Sequence, residues 1–137
     1  MFPVEQHAPH RLDREECLRL LAVEDVGRLA LAQGRAPVIF PVNYALDGEA
    51  IVFRTAEGTK LSHGPRGAAA FEIDGLDRVS RSGWSVLVTG RLEEITDPET
   101  LERVHRLHVR PWATGVKGHW MRLVPGIVTG RWVGRSA

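Results

Sequence analysis

A mainly β fold with a minor helical part (α+β) is predicted for this chain: a six-stranded antiparallel barrel, or strongly curled sheet, with flanking short helices. Three observations predict it. Short β-branched or alternating segments recur between Gly, Pro and Asp clusters. Asp47-Gly48 is a two-residue hairpin signal between two of them. Full helix-start signals occur at only two places, Asp13 and Asp97.

The arrangement follows in chain order. Residues 1–11 read as a flexible arm, and residues 12–137 as a single domain. Asp13 is an N-cap, Glu16 three residues on completes a capping box, and Cys17, Leu18 and Leu21 form the apolar stripe of a first helix. Strands follow over 28–32 and 38–46, with a turn over 33–37 between them. A third strand covers 49–55. With Asp47 and Gly48 as the loop, Leu46 faces Glu49, Tyr44 faces Ile51 and Val42 faces Phe53 on an apolar side. The opposite side carries Ala45 with Ala50, Asn43 with Val52, and Pro41 with Arg54.

Residues 57–63 read as a short helix ended by Gly64-Pro65. A fourth strand covers 68–74, and a polar connection containing Arg78 and Arg81 leads to a long fifth strand over 84–95. Gly90 inside it predicts a bulge. Asp97-Pro98-Glu99 starts a second helix, with Leu101, Val104 and His105 or His108 on one side. After a loop over 110–118, final strand segments at 119–123 and 127–133 break at Pro125-Gly126.

Charge and composition narrow the function. The net charge is +1, and the basic residues are scattered, which argues against a nucleic-acid partner. Only Lys60 and Lys117 are lysines, against sixteen arginines. No apolar run spans a membrane and no apolar signal core opens the chain, so a cytoplasmic location is expected. Cys17, the single cysteine, reads as a small buried hydrophobe.

One stretch has the residue types of an anion site. Arg54 and Thr55 close the third strand, and Thr59, Lys60 and Ser62 follow within a turn or two. Cations and hydroxyls converging at a strand end suit a phosphate. This is neither a P-loop nor a Rossmann site, because neither glycine pattern is present. His105 and His108 at i and i+3 lack a third metal ligand, so no metal is expected. Catalytic residues are not identified; no serine lies in a nucleophile elbow. Trp112 and Trp120 flank a Gly-containing loop, where they could cover a flat aromatic ligand.

The order and spacing of GRLALA (27–32), PVNYALDGEAIVFRTAEGTKL (41–61), AFEID (70–74), GWSVLVTGRLEEITD (83–97) and PGIVTGRW (125–132) resemble the pyridoxamine 5′-phosphate oxidase-like proteins. These are the FMN-binding split β-barrel family. The resemblance implies a homodimer with FMN at the subunit interface and a flavin-dependent oxidoreductase activity on a small molecule. It implies that Arg54 and Lys60, with Thr55 and Ser62, hold the phosphate. Pro41, Val42 and Asn43 would lie along the isoalloxazine ring, and Trp84, Ser85, Trp112, His119 and Trp120 would come from the partner. Segments 119–123 and 127–133 carry no Arg-x-His substrate motif of the true oxidases. Two alternatives go with such a family: an F420-dependent reductase, in which Arg66, Arg78 and Arg81 would serve the acidic tail of the deazaflavin, and a non-enzymatic flavin- or haem-binding protein, with His63, His105 or His119 as axial ligands of a haem.

Overall fold

The computed structural model describes residues 10–33, 36–56, 67–107, 109 and 118–134. Among these residues the chain forms β1 (His10–Leu12), α1 (Arg14–Val23), β2 (Val26–Gln33), β3 (Ala36–Asn43), β4 (Ala45–Asp47), β5 (Ala50–Thr55), β6 (Ala68–Asp77), β7 (Ser82–Glu94), α2 (Pro98–His105) and β8 (His119–Val133). One antiparallel sheet runs β3-β2-β6-β7-β8-β5-β4, with β1 on the flank of β8. The chain passes from one end of this sheet to the other through a single residue, Tyr44, so the sheet curls into a half-barrel. Long strands of this kind coil because each adds a right-handed twist.

Both helices start where the sequence predicts. The Asp13 side chain accepts from the Glu16 amide at 2.8 Å, and Glu16 accepts in return from the Asp13 amide at 3.3 Å. Asp97 accepts from the Thr100 amide at 2.9 Å, with Pro98 in the first turn. Cys17 is fully buried, and burial pushes its thiol above the ordinary range. No described helix is long and apolar enough to cross a membrane.

Two cores lie on opposite faces of the sheet. Inside the curl, Leu29, Phe53, Phe71, Ile73, Val86, Val88 and Leu123 pack with Cys17 and Leu21 of α1. Outside it, α2 covers a smaller cluster of Val52, Ile95, Val104, Val109 and Trp120. Phe71 organises the first core. A Cβ on Gly27 would lie 2.1 Å from its Cζ, so Gly27 gives the ring its seat. Tyr44 meets Phe71 edge-on at 4.8 Å and donates its hydroxyl to the Leu21 carbonyl at 2.7 Å.

The hairpin register differs from the sequence reading. Asp47 pairs with Ala50, Leu46 with Ile51 and Ala45 with Val52. The loop is therefore Gly48-Glu49, with positive φ at Gly48 alone, as in a type II′ turn, rather than Asp47-Gly48. The shift of two positions preserves the strand faces, since side chains alternate with period two. It does abolish the expected pairs of Asn43 with Val52 and Pro41 with Arg54. β3 pairs instead with β2, placing Pro41 against Arg28 and Asn43 against Val26.

Other boundaries move as well. The expected strand over 38–46 divides at Tyr44, and β1 recruits His10 and Arg11 from the expected arm, giving eight strands rather than six. β8 runs through Pro125-Gly126 as one strand, but the register slips there: Thr89 faces Ile127 and Gly90 faces Pro125, so Gly126 is the extra residue of a bulge on β8, opposite the Gly90 position where the sequence predicts one on β7. A Cβ on Gly90 would sit 2.0 Å from the Val124 carbonyl oxygen, so the bulge requires glycine. The 57–63 helix lies outside the described residues.

Tyr44→Phe should lower unfolding stability by about 1–2 kcal/mol, because it leaves the Leu21 carbonyl without its donor. Gly27→Ala should cost about 1–3 kcal/mol through overpacking against Phe71. Urea denaturation followed by tryptophan fluorescence measures both.

Candidate functional site at the barrel seam

The register decides which side chains face outward. On β2 and β3 the outward rows pair Ala30 with Ile39, Arg28 with Pro41 and Val26 with Asn43. On the far side of the seam, Ala45 pairs with Val52, and Arg54 follows two residues on toward Trp120. Since Tyr44 and Leu46 point into the first core, Pro41, Asn43, Ala45, Val52 and Arg54 share the outer face. The face expected to carry Pro41, Asn43 and Arg54 thus exists, but across the seam between β3 and β5 rather than along one ladder.

Arg54 is held by the second core. Its guanidinium carbon lies 5.3 Å from the centre of the Trp120 ring, a cation–π contact. Trp120 is only 4% exposed and meets His105 edge-on at 5.3 Å. It is the floor beneath Arg54, which fixes the cation at the end of β5. The helix that closes this floor is clamped in turn. Arg103 on α2 donates through Nε and Nη2 to both carboxylate oxygens of Asp47, each at 2.8 Å. That fork holds the Asp47 carboxyl below its ordinary value.

The other predicted residues divide by face. Thr55 pairs with His119 at the mouth of the barrel, on the opposite side of the strands from Arg54 and Trp120. His119 Nδ1 lies 2.8 Å from Glu94 Oε2. Val42 and Trp84 turn inward and pack on the first core; the Trp84 indole crosses Gly75, where an added Cβ would lie 2.6 Å from its Nε1. Ser85 turns outward. Lys60, Ser62, Trp112, His63, His108 and Arg66 lie outside the described residues. Arg78 and Arg81 stand in the turn between β6 and β7, where Asp77 caps the Val79 and Ser80 amides at 2.9 and 3.1 Å. No group of three metal-ligating side chains occurs among the described residues.

Sequence reasoning missed a cluster beside Pro41. Arg28 Nε donates to Glu72 Oε1 at 2.8 Å, and its Nη2 lies 2.9 Å from Asp74 Oδ2. Burial pushes the Glu72 carboxyl up and neighbouring Asp74 adds to this, while Arg28 pulls it down. The AFEID alternation already puts Glu72 and Asp74 on one strand face. Their shared cation required the β2–β6 register, which places Arg28 directly opposite Glu72.

A curled antiparallel half-barrel with flanking helices is the architecture of a split barrel. The sequence model for pyridoxamine 5′-phosphate oxidase matches residues 13–132, and the chain belongs to that family. The uncharacterized protein Rv0080 of Mycobacterium tuberculosis is 39% identical over 125 residues, covering 87% of this chain and 82% of its own. Among solved structures, the FAD binding protein of Mycobacterium smegmatis superimposes with a TM-score of 0.78 at 34% identity, covering 93% of this chain and all of its own. An FAD-binding protein of Mesorhizobium loti gives a TM-score of 0.75 at 26% identity, covering 92% and 99%.

The Asp47–Arg103 clamp has a signed pH dependence. The folded-state value lies below the unfolded value near 3.8, so the contribution is complete above that pH and is lost as pH falls through the depressed value. Asp47→Asn should therefore lower the urea midpoint at pH 7 and converge with the parent protein in acid. Paired denaturation curves across pH 2–7 test this.

Proposed function

We propose that the protein binds a flavin nucleotide along the β3–β5 seam and serves as a flavin-dependent oxidoreductase. The observation that carries the reading is the placement of Arg54 over the buried Trp120, on the same outer face as Pro41 and Asn43. A fixed guanidinium at the end of a smooth strand face fits a ligand with a flat ring and a phosphate at one end. Arg54 closes β5 shortly before the segment that carries Lys60 and Ser62, so these three are assigned to the phosphate; Thr55, whose side chain turns to the other face, is left to the resemblance alone. Pro41 and Asn43, with the backbone of Val42, are assigned to the ring. A bound flavin supplies the hydride chemistry; the protein's part is to bind, orient and exclude water.

The resemblance favours FMN. The M. smegmatis and M. loti neighbours are FAD-binding proteins, which makes FAD the stronger expectation for the particular nucleotide. Both share the riboflavin phosphate that the seam is built to hold. F420, whose ring is similar and whose tail is acidic, is the competing cofactor.

A homodimer completes the reading. The outer face of β3, β2, β6, β7 and β8 carries a cross-strand row of Ile39, Ala30, Ala70, Thr89 and Ile127. Ile39 is 68% exposed and Ile127 64%, beside a shallow hollow of about 570 Å³ floored by alanines. Exposed aliphatic side chains around a floor of small residues suit a partner surface, and the second copy of this chain is the occupant proposed. On this reading Trp84, Ser85, Trp112, His119 and Trp120 would belong to the partner's share of each site. The inward turn of Trp84 and the burial of Trp120 leave Ser85 and His119, among the described residues of this set, as the ones open to direct contact.

The purified protein should be yellow and should release FAD or FMN on denaturation, identifiable by mass spectrometry. Arg54→Ala with Lys60→Ala should weaken flavin binding at least about a hundredfold, the loss expected for two charge-assisted contacts. A colourless protein that takes up none of FMN, FAD or F420 in calorimetric titration contradicts the proposal. Tighter F420 than flavin binding moves the assignment to a deazaflavin. Ile127→Glu should convert a dimer to a monomer in light scattering; a monomeric parent protein removes the dimer from the account.

A further inference from the structure

We infer that the outer face of β1, β8 and β7 holds a second anion seat, built on Arg11 and Arg131, for the phosphate group of an organic phosphate. Arg11 and Arg131 are direct register partners across β1 and β8. Like charges directly opposed on a sheet repel, so the arrangement destabilises the bare protein unless an anion lies between them. Among the described residues neither guanidinium makes an ion pair.

The surroundings are those of a built groove. Both arginines line a hollow of about 550 Å³ together with Ser85, Thr129, Leu87 and Glu72. The register puts Asp74, Ser85, Arg131 and Arg11 in one cross-strand row, and Glu72, Leu87 and Thr129 in the next. Ser85 and Thr129 supply hydroxyl donors beside the two forks, a combination that suits a phosphate. Leu87 offers an apolar strip for the body of the ligand. The two carboxylates in these rows, Glu72 and Asp74, are both engaged by Arg28. Counting Arg28, three guanidiniums face two carboxylates, so the groove keeps a positive excess for its ligand.

The seat is separate from the one at Arg54. Arg131 lies eleven residues along β8 from Trp120, up to ~35 Å of extended strand. The phosphate has two possible sources: the outer phosphate of a dinucleotide cofactor reaching across from a second copy, or a separate phosphorylated substrate.

The test uses the full chain stripped of cofactor, with Arg54→Ala as the parent so that the seam does not compete, and inorganic phosphate as the probe at low ionic strength. Calorimetry should show saturable phosphate binding to Arg54→Ala. Adding Arg131→Gln or Arg11→Gln should weaken it about tenfold or more. Without phosphate, Arg131→Gln should unfold at the same temperature as its parent or higher, because a like-charge contact has been relieved. That readout separates loss of a ligand from loss of the fold. FMN and FAD titrations of Arg131→Gln in the otherwise native chain identify the source. Weaker FAD with unchanged FMN assigns the seat to the outer phosphate of the cofactor. Unchanged FAD and FMN alongside lost phosphate binding assign it to a separate ligand. Equal phosphate affinity with and without Arg131→Gln and Arg11→Gln, or no saturable binding to the parent, overturns the inference. Flavin binding at Arg54 stands or falls independently of either result.

Discussion

Tyr44 is the point on which the architecture turns. It is the only residue between β3 and β4, and it carries the chain from one end of the sheet order to the other. Three contacts pin it: its amide donates to the Asp25 carbonyl at 3.0 Å, its hydroxyl to the Leu21 carbonyl, and its ring meets Phe71. The first two tie the crossing to the end of α1 and the start of β2; the third ties it to the middle of β6. Burial and the nearby acids Glu24 and Asp25 push the phenol far above its ordinary range, so it stays a donor at any physiological pH. Curling of the sheet, closure of the seam and a shared outer face for Pro41, Asn43 and Arg54 all follow from holding this one residue in place.

The second constraint works from outside. Val52 and Trp120 would be exposed on a bare sheet; α2 buries them with Val104 and Leu101. The fork from Arg103 to Asp47 fixes α2 to the β4–β5 hairpin, so the hairpin turn, the helix and the platform under Arg54 form one mechanical unit. The outer face therefore has three territories. The seam is cation-ended, the row through Ala30 and Ile127 is apolar, and the row through Arg131 is basic.

Much of this was legible in the sequence. Both N-caps and the capping box rest on local chemistry, and the structure repeats them; Gly90 marks the place of the irregularity, although the extra residue, Gly126, stands on the strand opposite. The inward and outward sides of β4 and β5 were also readable, because alternation survives a register shift of two. What failed needed long-range information. Asp47-Gly48 is a stronger local hairpin signal than Gly48-Glu49, but pairing Asp47 with Ala50 lets Asp47 reach Arg103, fifty-six residues away. Likewise, β3 takes its partner from β2, which no local pattern around Pro41 encodes. At the site, Arg54 was identifiable from its position at a strand end. Arg28 and Arg131 were not, since sixteen arginines in the chain mask the few that are placed by register.

The measurement that bears most directly on the central claim is the map of amide shift changes when flavin is titrated into isotope-labelled protein. The largest changes should fall at Val42, Asn43 and Arg54, on the two sides of the seam. Changes confined to the barrel mouth around Glu94 and His119, with the seam unmoved, would contradict it.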